Sequence, residues 1–96
     1  MNLSILPSAI NDLADGFDFY EKQEAGLGDY FLNSPLADID SLRLYGGIHR
    51  KVFQFHRALA SRFPFAIYYD CKPGQIYVRA VLDCRRAPKW IRQKLK

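Results

Sequence analysis

What this chain lacks narrows its class first. No apolar run approaches the ~18 residues needed to cross a bilayer, so no membrane partner is expected. Met1–Ile10 has neither a cationic start nor a long apolar stretch and does not read as a secretory signal, which makes a cytoplasmic location the default expectation. Only two cysteines occur, Cys71 and Cys84, with no CxxC, and together with two distant histidines they make no metal-ligand spacing. Neither a metal nor a cofactor is therefore expected. GxSxG, a P-loop and HExxH are all missing, so those hydrolase and nucleotide-binding chemistries have no support. Repeats and low-complexity segments are also lacking. Each half of the chain is poor in one sign of charge: residues 1–48 hold 2 Lys/Arg against 8 Asp/Glu, and residues 49–96 hold 12 against 2. A net of −6 is thus followed by a net of +10, which the overall +4 conceals. Segregation of this kind gives a positive side able to attract phosphate or an acidic protein surface.

What is present is enough for one core. Ninety-six residues predict one domain, 1–96, that hides roughly 60–65% of its surface, with 89–96 as a basic C-terminal tail or short helix. With 49% hydrophobic and 15% aromatic residues, the chain is too apolar for a disordered polyelectrolyte, so its basic half reads as a folded surface.

Asn2–Leu6 is short and apolar and reads as a strand. Pro7 and Ser8 suit a helix start, the proline losing no needed hydrogen bond and the serine able to cap. Ile10, Leu13, Ala14, Phe17 and Tyr20 recur at helical spacing between acidic residues and predict an amphipathic helix over about 8–24, ended by Gly26 and Gly28. Leu27, Tyr30, Phe31, Leu36, Ile39 and Leu42 predict a second helix antiparallel to it, kinked or restarted near Asn33–Ser34 because Pro35 removes a backbone bond. Beyond Tyr45-Gly46-Gly47, three stretches read as strands: Phe53–Ser61, Phe65–Cys71 and Gln75–Cys84. Pro73-Gly74 closes the last two into a hairpin. Cys71 then sits beside the turn and Cys84 about eight residues along the strand, roughly 25 Å away, so both should be free thiols. The expected class is α+β, a small antiparallel sheet in the order β-α-α-β-β-β with two N-terminal helices on one face and the other face open.

In a regular hairpin Tyr68 lies opposite Arg79, Asp70 opposite Tyr77 and Ala66 opposite Val81, all on the open face. Either His56 or Arg57 reaches the same face, and Arg85, Arg86, Lys89, Arg92, Lys94 and Lys96 follow the last strand. Arginine forks phosphate oxygens while a ring stacks on a base, so this set suits a nucleic-acid strand. Each arginine singly also suits plain solvation of a sheet face beside Asp70 and Asp83, but the density of the cluster exceeds what solubility needs. Metal-free RNA cleavage would need a base, an acid and positive charge on the phosphate. Arg79, Arg57 and Arg85 can supply charge; His49, His56, Tyr68, Tyr77 or Asp83 can carry protons, and none stands out. Trp90 suits either core packing or a partner interface, with packing its expected role.

Two segments carry a family resemblance. Arg62-Phe63-Pro64-Phe65-Ala66-Ile67-Tyr68-Tyr69 resembles the R-F-P-[FY]-x-I-x-Y strand of RelE/ParE toxins of bacterial type II toxin–antitoxin modules. Val78-Arg79-Ala80-Val81-Leu82-Asp83-Cys84-Arg85-Arg86-Ala87-Pro88 resembles their V-x-A-V-x-H-x-R-R-x-P ending. The likeness spans nearly the whole chain and implies a small antiparallel sheet with two N-terminal helices. It also implies a growth-inhibiting toxin, of the kind associated with plasmid stabilisation, silenced by a cognate antitoxin. RelE-type members cut mRNA in the ribosome's decoding site, whereas ParE-type members inhibit DNA gyrase and cut nothing. The reading taken from the sequence is ribosome-dependent mRNA cleavage, with a ParE-like gyrase inhibitor or a non-toxic antitoxin-binding relative as alternatives; whether the chain is an enzyme stays open. For cleavage the candidate residues are Arg79, Arg85, Arg57 and Tyr68, and for nucleic-acid binding Arg62, Arg79, Arg85, Arg86 and Lys89. Asp83 stands where many relatives carry His, Ala87 replaces the Asp of R-R-D-P, and the Lys-Arg-Tyr or His-Tyr elements of the nucleases have no match.

Overall fold

The structure, a computed structural model, describes residues 1–96. Its elements are β1 (Asn2–Ile5), α1 (Pro7–Glu21), α2 (Leu27–Tyr45), β2 (Lys51–Val52), β3 (Phe55–Leu59), β4 (Phe65–Lys72), β5 (Gln75–Asp83) and α3 (Pro88–Lys94). The strands form one sheet in the order β1-β5-β4-β3-β2, with β1 parallel to β5 and the other neighbours antiparallel. This is the expected α+β arrangement with one extra short strand and a closing helix. No helix is long and apolar enough to cross a membrane.

Helix α1 begins at Pro7, as the ring's fixed φ allows, but Ser8 does not cap it. Its hydroxyl donates instead to the Arg79 carbonyl at 2.6 Å. The reason lies in the sheet: β1 stops at Ile5, so β5 beyond Val78 has no neighbouring strand. Helix α1 crosses that bare edge, and the Asp12 carboxylate accepts the Val81 N–H at 3.0 Å. Two side chains of one helix thereby satisfy backbone groups that a strand would otherwise pair.

Helix α2 starts at Gly26, whose φ of +89° suits only glycine without strain. The Glu21 carboxylate, from the end of α1, accepts the N–H groups of Gly26 at 3.1 Å and Gly28 at 3.0 Å, satisfying donors that the helix start leaves free. The break expected at Pro35 does not occur. The helix runs through it, and Pro35 is buried in line with Phe31, Ile39 and Leu42, so its ring fills core volume.

Ala9, Leu13, Ile39 and Leu42 pack on Ile67, Tyr69, Ile76, Val78 and Val81 to make the main core. The apolar stripe of α1 is split. Ala9, Leu13 and Gly16 face inward, with Gly16 so close to Phe31 that a Cβ would lie 2.6 Å from the ring. Ile10, Ala14 and Phe17 instead line an outer apolar groove with Leu32 and Leu36.

The other face of the sheet is not open, which corrects the sequence expectation. Ala66, Tyr68, Ala80 and Leu82 are covered by Ile91 and Leu95 at the C-terminus, with Phe53, Phe55 and Trp90 packed beside them. The register also differs. Asp70 lies opposite Tyr77 as expected, but a bulge at Arg79 puts Ala80 opposite Tyr68 and Leu82 opposite Ala66. One extra residue flips every later side chain, so Val81 faces the helices and not the outer side. The expected strand 53–61 is broken too: Phe53 and Gln54 form the tip of a β2–β3 hairpin. Both cysteines are free, and Trp90 packs against the second cluster, as expected.

Candidate functional site: a basic face backed by rings

The second face positions its cations over aromatic rings. Arg79 projects from the bulge with its guanidinium carbon 5.1 Å from the Phe55 ring centre. Arg92 from α3 lies 5.3 Å from Phe53, and Arg86 4.6 Å from Trp90, with the Lys94 ammonium 5.8 Å from the same ring. Cation–ring contacts of this kind are worth about 0.5–1 kcal/mol when exposed. Their larger effect here is to hold long, flexible side chains in place. Phe53 and Gln54 adopt φ of 54° and 74°, a two-residue turn for which glycine or asparagine is usual, so packing of Phe53 must offset roughly 2–4 kcal/mol of strain over the two residues.

Arg57 lies on β3 opposite Tyr68. Tyr68 is only 1% exposed, and burial pushes its hydroxyl above the usual phenol range, the Arg57 charge opposing. Burial likewise raises the Cys84 thiol against the same cation. Arg85 is committed to Asp83, with Nε 3.0 Å from Oδ1 and Nη2 2.7 Å from Oδ2. That fork, foremost among the causes, holds the Asp83 carboxyl below the usual carboxylate range. Lys89 is exposed on α3. Arg62 is elsewhere: it sits in the β3–β4 connection and donates to the Tyr30 hydroxyl of α2 at 3.2 Å. Of the residues proposed from the sequence, the structure therefore gathers Arg57, Tyr68, Arg79 and Arg86 on the second face, keeps Arg85 and Lys89 at its margin, and separates Arg62.

The histidines lie on the other side. The His49 ring nitrogen Nδ1 is 2.6 Å from the Tyr69 hydroxyl, which also accepts the Gly47 N–H at 3.0 Å. His56 stacks on the Tyr69 ring with centroids 5.1 Å apart. Burial, then the neighbouring His56, lowers the His49 pKa. These groups fasten the α2–β2 connection to the core and do not approach Arg79's face.

Asp12 joins the two faces. Its carboxylate meets Val81 N–H on one side and the Lys94 ammonium at 3.7 Å on the other, at the back of a cleft of about 280 Å³ between α1, β5 and α3. Burial raises its pKa, with the Val81 hydrogen bond and Lys94 opposing. Sequence reasoning missed Asp12, although it lies three residues from Ala9 and beside Leu13 on the inward stripe. It also missed Phe53 and Phe55, whose place under the cations gave no separate signal, while Arg92 was counted with the basic C-terminal residues but not set over a ring.

Chemically, the face can hold anions or an acidic surface against fixed cations. No group of three or more His, Cys, Asp and Glu side chains converges as a metal site requires.

No protein-family model matches the sequence, and no curated protein matches it. Among solved structures, the fold is similar to that of a chain described as the chromosomal ParDE TA (toxin–antitoxin) system from P. aeruginosa, with a TM-score of 0.75 and 19% identity over 84% of this chain and 92% of that one. The arrangement of helices on the sheet is thus the RelE/ParE-like one that the sequence resemblance implied.

Proposed function

We propose that this chain is the toxin of a type II toxin–antitoxin module, acting as ParE-type toxins do by inhibiting DNA gyrase and not by cutting mRNA, and that a cognate antitoxin silences it. The likeness of fold to a chain of a ParDE toxin–antitoxin system supports the toxin part. One observation carries the choice of mechanism: the sheet face that carries the candidate nuclease residues lies under α3, with Tyr68 almost wholly buried. Among the remaining proton carriers Tyr77 stays exposed, a phenol on the residue opposite Asp70, and the others are tied up or distant. Asp83 is forked by Arg85, and both histidines face the other way. What stays available besides that phenol is fixed positive charge, which suits recognition of a target surface more than acid–base chemistry.

A nuclease reading keeps one specific support, the approach of Arg57 to Tyr68 beside Arg79. In that case the arginines would position RNA and stabilise charge while the ribosome and the substrate supplied the rest. Induction of the chain without an antitoxin separates the readings. Loss of plasmid supercoiling with intact mRNA is the expected result. Codon-phased mRNA ends with normal supercoiling would replace the proposal with the nuclease reading, and unimpaired growth would point to an inert antitoxin-binding relative.

A further inference from the structure

The corner between α2 and β2 has no part in the face described above. Leu44, Tyr45 and Ile48 are 82%, 56% and 74% exposed there. They belong to one short turn, since the Ile48 N–H donates to the Tyr45 carbonyl at 3.4 Å. Single apolar residues in water need no explanation, but three large ones gathered at one point mark a contact surface.

The exposure is not that of a loose loop. The Tyr69 hydroxyl, rooted in the main core, takes the Gly47 N–H and bonds the His49 ring, so the turn is pinned on both sides of Ile48. Gly46 presses on Ile76 so closely that a Cβ there would collide, and Gly47 holds a φ of +96°. Both positions use glycine to bring the backbone down onto the sheet, and Ile48 is left outside. Arg50 and Lys51 follow directly, exposed and without an ion pair. Asp40, an acid one turn before Leu44, is occupied by Arg43 at 3.0 Å.

We propose that this pinned corner docks an acidic segment of a partner protein, whose apolar side chains meet Leu44, Tyr45 and Ile48 while its carboxylates meet Arg50 and Lys51. Charge complementarity selects this occupant. A second copy in a two-fold contact would set basic corner against basic corner. An anionic lipid surface is met by clusters of about four to eight Lys/Arg, whereas this corner offers two adjacent cations, Arg50 and Lys51, beside three apolar side chains, the width of a protein segment. The inference uses neither Arg79 nor the face beneath α3, so it stands or falls apart from the proposed mechanism.

The test is amide shift mapping by NMR on the full chain, with a synthetic peptide that alternates Asp with Leu and Phe as the probe. Saturable shifts over residues 44–51 are expected, weakened by salt and absent with the Lys-for-Asp peptide. Ile48→Glu should weaken binding by about tenfold, as loss of a central apolar anchor does. The Arg50→Glu/Lys51→Glu double variant should do the same, and far-UV circular dichroism should show both folded. Shifts centred on Arg79, Arg86 and Arg92, undiminished binding by folded Ile48→Glu, or equal shifts with the Lys peptide would each overturn the proposal. Sedimentation with phosphatidylglycerol vesicles in place of peptide binding would assign the corner to lipid and overturn it as well.

Discussion

The two faces of the sheet solve the same burial problem with different materials. One face is closed by two helices of 15 and 19 residues, with aliphatic side chains and Phe31 packed to the point that Gly16 cannot carry a Cβ. The other has a helix of seven residues, too little to cover Tyr68, Ala80 and Leu82 alone. Phe53, Phe55 and Trp90 complete that cover, and Arg79, Arg86, Arg92 and Lys94 lie over the rings. A small domain that runs out of helix can therefore finish a core with rings and cationic stems, and obtain a charged, ordered surface from the same atoms. The larger buried cluster lies on the first face, and the ring-backed positive charge on the second.

Substitutions can sharpen that contrast. Phe31→Ala should be the most damaging, costing about 3–5 kcal/mol in urea unfolding, because it removes a wholly buried ring between the helices and the sheet. A cost below that of any change on the second face would break the comparison. Asp12→Leu should cost roughly 1–3 kcal/mol by leaving the Val81 N–H unpaired, while Asp12→Asn, which keeps an acceptor, should cost much less. Asp12 also sets a pH dependence. Its folded pKa is raised, so the folded state holds the proton longer and stability falls as pH rises from the ordinary carboxylate value through the raised one; Asp12→Asn should flatten that slope.

Arg79→Ala should change stability by no more than about 1 kcal/mol, since it loses a half-buried cation–ring contact and no core volume, yet it should abolish growth inhibition. Retained toxicity in the folded variant would remove the basic face from the mechanism. The smallest effect is local. The lowered His49 pKa means that the unfolded chain takes a proton first as pH falls, so stability present above the ordinary histidine value is lost below it. The protection factor of the Gly47 amide, taken relative to intrinsic exchange at each pH, should fall between neutral and mildly acidic pH, and Tyr69→Phe should abolish that dependence.

Much of the main layer was legible in the sequence. Pro73-Gly74 placed the β4–β5 hairpin, the alternation up to Val78 gave its faces, and the two helices followed from apolar spacing. The errors share a cause: local pattern was overridden by what lay across from it. Nothing marks Arg79 as a bulge, because the residue is held there by Ser8, 71 positions away. Phe53-Gln54 carries no turn residue, and its positive φ values are supported by packing on the second face. Pro35 reads as a break only while its ring is imagined in water. The apparent open face came from reading 89–96 as a basic tail or short helix without docking it, although the spacing of four between Ile91 and Leu95 already put both on one side of a helix. Among the candidate site residues, Arg57 and Tyr68 lie opposite each other on neighbouring strands, but Tyr68 stands across from Ala80 and not Arg79, and Arg62 lies apart in a connection.

Ser8 and Asp12 have a consequence beyond the two backbone groups they satisfy. Sheet margins left bare invite recruitment by other polypeptides, and here the guard along β5 is a helix anchored through a hydroxyl and a carboxylate, not a strand that could itself zip onward. Detaching α1 would turn a terminated ladder into a growing one, so removal of residues before Leu13 should yield fibrillar or oligomeric material in place of a soluble partly folded chain.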